Sequence, residues 1–438
     1  MLLSAVRFII DETPRFPQGI LSVSALHLFK CNHYHRSELY HYRTNKHFDR
    51  KTPTPNLWNR TGSKSIHDSS GNLKRRKMST DSLHVKITTG EVLRFCEACM
   101  QAVGASKDHG KQLSEVLLAA DYRGHFSHGL NRLPMYVRDI QANITEKAGE
   151  PVILKEFAGT AWVDGKNLLG PVVGNFCMDL AMKKAKEAGI GWVVAKGSNH
   201  YGIAGWYTLR ALEHGLMGIC MTNTSPLSAP TRSKKAVLGT NPMSFSAPAK
   251  DGDSFVLDMA TTAVALGKIE MQKRKNEEMP MGWGQDVNGI TTQDPRDVTD
   301  RGGCLQPLGG PEITGGYKGY GLTTLVEVFT GILGGAHYGP NVRKWMSTTQ
   351  VADLGQMFAA INPECFCDGF QDRMSDLLGM LRGLDPADKD KPVLVAGDPE
   401  RQHMEKVDKD GGITYHKNLI TSMNELAEEL KVTPMKLL

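Results

Sequence analysis

The stretch Glu187-Ala188-Gly189-Ile190-Gly191-Trp192-Val193-Val194-Ala195-Lys196-Gly197-Ser198-Asn199-His200 holds two element boundaries in one short span. A helix is predicted from about 176 to 188, and Gly189 is the residue type that takes the left-handed position past a helix end without strain. The apolar run Gly191 to Ala195 then reads as a strand, with Lys196 to His200 as the loop beyond it. Outward from there the alternation continues. A helix near 203–213 stops at Gly215, the apolar run Leu216 to Met221 follows, and Phe255-Val256-Leu257 precedes Asp258. Helices alternating with apolar runs indicate an α/β architecture in which helices cover a sheet.

Two amphipathic helices precede this region. Val92, Cys96, Cys99, Met100 and Val103 recur at helical spacing, and Leu113, Val116, Leu117 and Ala120 repeat the pattern. Cys96 and Cys99 thereby fall on the apolar face, so packing is the expected role of this C-x-x-C rather than redox chemistry, which favours a helix N-terminus. Residues 260–315 are rich in Gly, Pro, Thr and Asp and read as loops. Helices are predicted over 317–334 and 420–431.

The chain has 438 residues, 40% of them apolar, 23% charged and 7% aromatic, the mix of an ordinary globular protein. No apolar run approaches the eighteen or so residues that a spanning helix needs, so no membrane partner is expected. Eight irregularly spaced cysteines argue against a disulfide scaffold. The net charge of +5 is unevenly spread: residues 1–77 hold 14 basic and 5 acidic side chains, the other 361 hold 38 and 42. The body is thus mildly acidic, and no nucleic-acid partner is expected. The basic, histidine-rich 1–77 segment, with His33-x-His35 and the run Lys74-Arg75-Arg76-Lys77, is predicted to be a poorly ordered extension. Cytoplasmic localisation is the expectation. A mitochondrial presequence is the alternative for the extension, with Asp11 and Glu12 counting against it.

The glycine fingerprint of the common dinucleotide fold, the phosphate-binding loop and the usual metal spacings are all missing, and no metal site is expected. The glycines of Lys318-Gly319-Tyr320-Gly321 fit tight packing at a helix start as well as a ligand contact. The informative segment is Asp121-Tyr122-Arg123-Gly124-His125-Phe126-Ser127-His128-Gly129-Leu130-Asn131-Arg132. It sets an imidazole four residues before a guanidinium, on one face if a helix resumes at Gly129. Arg grips a carboxylate with two prongs, and His exchanges a proton near neutrality. A satisfied turn histidine would look the same.

This segment resembles the Ser-His-Gly motif of the type 2 malate/L-lactate dehydrogenase family, which also holds ureidoglycolate, sulfolactate and diketogulonate dehydrogenases and a cyclic-imine reductase. Further stretches resemble family signatures in family order: Asp164-Gly165, Leu169-Gly170, Ser198 to Gly202, Thr222 to Pro226, Leu238 to Pro242, Asp258 to Thr261, Gly267-Lys268, Gly282-Trp283, Pro307 to Gly310 and Lys318 to Leu322. The similarity covers roughly residues 80–425.

The resemblance implies a non-Rossmann malate/L-lactate dehydrogenase-like α/β fold. Its helical domain would come from residues 78–155 and 316–438 and its NAD(P)-binding domain from 156–315, and the chain would form a homodimer. It implies a hydride transfer between NAD or NADP, NAD slightly preferred, and C2 of a small 2-hydroxy or 2-oxo acid. His128 would be the acid/base with Ser127 orienting it, His200 and Lys268 would assist, and Arg132 and Thr240 would bind substrate. Thr224, Asp258, Met259, Ala260, Leu308, Gly309, Gly397 and Asp398 would hold the cofactor. Three positions depart from the pattern: Ala396-Gly397-Asp398 stands for a usual P-G-E, Leu266 for a common arginine and Thr262 for a frequent serine. Arg232, Lys234 and Lys235 fit either attraction of a 2′-phosphate or a solvated loop. Reduction of a cyclic-imine acid at the same site, and dinucleotide binding without catalysis, are the rival functions.

Overall fold

The computed structural model describes residues 83–438, and the 1–77 extension, with its targeting and His33-x-His35 readings, lies outside them. A short strand β1 (His84–Ile87) leads into helices α1 (Thr89–Ala102), α2 (Lys107–Tyr122) and α3 (Leu133–Gln141). Thr88 and Ser106 cap α1 and α2 by accepting Glu91 N–H and His109 N–H, the role short hydroxyl side chains fill at helix starts. The sheet region follows as β2 (Val152–Glu156), β3 (Thr160–Asp164), α4 (Gly170–Ala188), β4 (Ile190–Ser198), α5 (Gly205–Leu212), β5 (Met217–Thr222), β6 (Met243–Pro248) and β7 (Ser254–Met259). Gly189 ends α4 at φ 81°, as its position in the sequence requires.

The 260–315 stretch holds more than loops. It contains α6 (Leu266–Lys275), the small strands β8 (Gly284–Gln285), β9 (Thr291–Thr292) and β10 (Cys304–Leu305) in one sheet, and α7 (Pro295–Thr299). Beyond it come α8 (Gly316–Glu327), continued by a π-helical turn at Val328–Ile332, then β11 (Leu354–Ile361), α9 (Phe370–Arg382), α10 (Asp398–Asp410), β12 (Ile413–His416) and α11 (Lys417–Leu430).

The main sheet has seven strands in the order β2-β3-β4-β11-β5-β6-β7. Only β3 and β4 pair in parallel; every other neighbour is antiparallel. Strands β4 and β5, joined through α5, run the same way but do not touch, because β11 lies antiparallel between them. This corrects the expectation that residues 316–438 supply helices alone: Leu354-Gly355-Gln356-Met357-Phe358-Ala359-Ala360-Ile361 is buried almost throughout, as the middle strand of a covered sheet must be. The N- and C-terminal parts meet where β1 pairs with β12. One core cluster joins both regions, since Cys96, Leu117 and Tyr136 belong to it with Val193, Ala195 and Phe358. Cys96 and Cys99 are fully buried, and burial pushes the Cys99 thiol up to about 12, so this pair packs as small apolar side chains.

Candidate functional site

The loop from Asp121 to Arg132 is held from below by a buried carboxylate. Asp121, at the end of α2, accepts Leu130 N–H and Tyr415 O–H, each at 2.8 Å, which ties the loop to β12. Gly129 passes so close that a Cβ there would stand 1.8 Å from an Asp121 oxygen, so only glycine fits. Burial raises the Asp121 carboxyl to about 7, against the opposing pull of those two donors. Past this anchor the chain makes a 3-10 turn at Leu130–Arg132 and enters α3. His128 and Arg132 therefore do not share an α-helical face. They are brought together because Arg132 Nε donates to the Ser127 carbonyl at 2.6 Å.

Ser127, His128, Arg132 and His200 line one cleft, with Thr224, Thr240 and Trp345 also on its wall. Ser127 Oγ lies 2.8 Å from His128 Nδ1. The rings of His128 and His200 stack with centroids 5.7 Å apart and planes 18° off parallel. Tyr136 O–H sits 2.6 Å from His200 Nδ1, and Gly202 N–H donates to the same nitrogen at 3.4 Å, so Nδ1 is the acceptor and Nε2 carries the proton of the neutral ring. Burial first, then the Arg132 charge, pulls His128 down to about 4. Burial, with His128 and Arg132 beside it, holds His200 well below the usual histidine range. Both rings are thus neutral at pH 7. The Arg132 guanidinium lies 5.1 Å over the Trp345 ring, and its terminal nitrogens have no hydrogen-bond partner among the described residues.

Thr224 and Thr240 also line the cleft and bond each other, Thr240 N–H donating to Thr224 Oγ1 at 2.9 Å. From Thr240 a backbone chain runs outward: Thr261 N–H donates to the Thr240 carbonyl and Leu308 N–H to the Thr261 carbonyl, both at 2.9 Å. Gly319 seats α8 against this chain, where a Cβ would come 2.2 Å from the Leu308 carbonyl, so Gly319 serves packing, whereas a Cβ at Gly321 would meet open space. Met259, Ala260, Leu308 and Gly309 lie outside the cleft, all at least partly open to solvent. Thr224 and Thr240 are thus tied through Thr261 to the Leu308 backbone beside the cleft. The buried Glu327 fixes the loops behind it, accepting from Asn223 at 3.2 Å and Asn241 at 2.9 Å.

The remaining expected residues fall elsewhere. Asp258 accepts Gly205 N–H at 2.7 Å over the start of α5 and lines no part of the cleft. Lys268 is exposed on the first turn of α6, away from the cleft lining, because the residues facing the cleft there are Leu266 and Glu270. Gly397 and Asp398 are buried, and Asp398 is saturated by Arg382, Arg401 and the Val395 N–H. That knot corrects its assignment as a cofactor ligand, since its two oxygens have no face left for one. Arg232 is held by Glu312 at 2.6 and 2.8 Å. No short motif marks Tyr136, Glu270 or Trp345.

Residues 87–424 match the family model described as malate/L-lactate dehydrogenase. The chain belongs to this family. It is similar to the malate dehydrogenase of Pyrococcus abyssi, at 37% identity over 80% of this chain and 97% of that protein. It is also similar to the malate/(S)-sulfolactate dehydrogenase of Methanothermus fervidus, at 37% identity over 76% and 94%. The solved malate dehydrogenase of Pyrococcus horikoshii OT3 superposes with a TM-score of 0.74 at 34% identity, covering 80% and 97%. As a member of the malate/L-lactate dehydrogenase family, the protein has its mixed α/β fold and is an oxidoreductase of the hydroxy-acid dehydrogenase type. No helix among the described residues is long and apolar enough to cross a membrane.

Proposed function

We propose that the protein moves hydride between NAD and C2 of a small 2-hydroxy or 2-oxo acid, with Arg132 holding the carboxylate and His128 exchanging the proton. The observation that carries this is the convergence of His128, its Ser127 partner, His200 and an Arg132 with free terminal donors on one cleft. A carboxylate on those donors would place C2 beside His128, whose neutral ring accepts the hydroxyl proton during oxidation. Ser127 sets the ring's rotation. His200, held by Tyr136, forms the stacked wall beside it. Thr240 contributes a hydroxyl to the substrate side, while Thr224, Met259, Ala260, Leu308 and Gly309 take the dinucleotide. When bound, the nicotinamide supplies or accepts the hydride. The reading includes a homodimer, supported by the exposed apolar strip Tyr317, Leu325, Val328 and Ile332 on α8 and the turn after it.

The test is the oxidation of NADH, and separately NADPH, by a panel of 2-oxo acids and one cyclic imine acid. Turnover of a 2-oxo acid is expected. His128→Asn should lower kcat by at least about two orders of magnitude, the scale of a lost general base. Arg132→Lys should raise KM, since a point charge does not reproduce the bidentate grip. A His128→Asn protein with near wild-type kcat would overturn the assignment.

A further inference from the structure

Trp345 reaches the cleft from a loop with a closed base. Val342, Ala352 and Leu354 pack together as a small buried cluster at the two ends of residues 343–351, and Arg343 is pinned to Asp139 at 3.0 Å. Between these fixed ends the chain reverses at Met346, which is exposed and has φ 60°, a left-handed conformation uncommon for a residue with a side chain. Trp345, just before it, is half-buried and lines the cleft. Backbone strain of this kind persists only where the surroundings hold it, and it gathers at ligand clamps.

The indole borders both the guanidinium and the imidazoles. The Arg132 guanidinium carbon lies 5.1 Å from the Trp345 ring centroid, and the His200 ring, which stacks on His128, is 5.8 Å from it at 57°. Arg132 Nε is committed to the Ser127 carbonyl and the indole covers one side of the group, so the two terminal nitrogens are what remains for a ligand. A guanidinium is weakly hydrated and packs well on an aromatic face. Held through Nε alone it would swing about that one bond; against the indole its orientation is set.

We propose that Trp345 is a positioning residue of the carboxylate clamp: its indole fixes the Arg132 guanidinium so that both terminal nitrogens meet a carboxylate, and the turn at Met346 keeps the indole in place. This rests on the hydride-transfer reading above and adds to it a residue that no motif of the sequence marks. A carboxylate that Arg132 holds in the ground state is held equally in the transition state, so disorder of the clamp appears in KM rather than in kcat. An aromatic face on a partly desolvated cation is worth about tenfold in binding.

The deciding experiment measures kcat and KM of the full chain with NADH for whichever of pyruvate and oxaloacetate the wild type uses faster. Trp345→Leu, which keeps apolar bulk without an aromatic face, should raise KM about tenfold and leave kcat within about threefold. Trp345→Phe, which keeps a face, should hold KM within about threefold of wild type. Met346→Val puts a β-branched residue at φ 60°, which displaces the indole without removing it, and should give the same rise in KM. In an Arg132→Lys background, adding Trp345→Leu should change KM by less than about threefold, because no guanidinium is left to orient. Wild-type KM in Trp345→Leu or in Met346→Val overturns the inference and leaves the parent reading standing. So does a fall in kcat as large as the rise in KM, a Trp345→Phe protein as impaired as Trp345→Leu, or an equal effect of Trp345→Leu in both backgrounds. Silence of the wild type with both acids and with the rest of the panel overturns the parent reading, and this one with it.

Discussion

Arg132 commits its Nε to the Ser127 carbonyl, so the plane of its guanidinium is set before any ligand arrives. The same charge, after burial, keeps the His128 ring unprotonated, with its pKa drawn down to about 4. The two effects give the reaction a directional pH dependence. Oxidation needs a neutral imidazole, which the free protein already has above pH 5. Reduction needs a protonated one, which becomes tenfold rarer for each pH unit above about 4. From pH 5 to 8, kcat/KM for reduction should therefore fall about tenfold per unit, while kcat/KM for oxidation stays nearly flat. Initial rates in both directions with one acid pair check this, and a flat reduction profile would remove His128 from the proton transfer.

The elements around the cleft are braced by a buried ion pair. Asp139 on α3 and Arg343 meet at 3.0 Å with both side chains at most 9% exposed, and this ties the segment that carries Trp345 to the helix that follows Arg132. Asp139→Ala strands the Arg343 charge, and an urea titration should show a loss of about 3–5 kcal/mol. Replacing both, Asp139→Leu with Arg343→Met, should recover most of it; a single variant within about 1 kcal/mol of wild type would show the pair to be solvated. At this scale the sequence is legible where the signal is local. Helices α1, α2, α4 and α5 and strands β4 and β5 announce themselves by period and by glycine stops, whereas α6 is polar and basic and sits in a Gly- and Thr-rich window that masks it. Ser127, His128, Arg132 and His200 were legible through their motifs. Tyr136, Glu270 and Trp345 were not, because Glu270 and Trp345 reach the cleft, and Tyr136 reaches His200, through tertiary packing that no short pattern encodes.

Across the whole molecule, the helices before and after the sheet are joined by β1 and β12, and the 3-10 turn that delivers Arg132 hangs from Asp121, itself bonded to Tyr415 near the far end of the chain. The site thus depends on residues almost 300 positions apart, which is why a reading of neighbouring residues located its parts but not its supports. The placement of β11 has its own bearing on how the chain is made. A ribosome delivers β4 and β5 more than 130 residues before the strand that must lie between them, so the emerging chain holds two half-sheets with open apolar flanks and no closed core. Long-range pairing of this type is slow and leaves edges exposed while it waits. Arrested nascent chains ending before Leu354 should be cut readily by protease, and those that expose Ile361 and the residues after it beyond the exit tunnel should become resistant in one step. The central strand would then act as the keystone that the main sheet receives last.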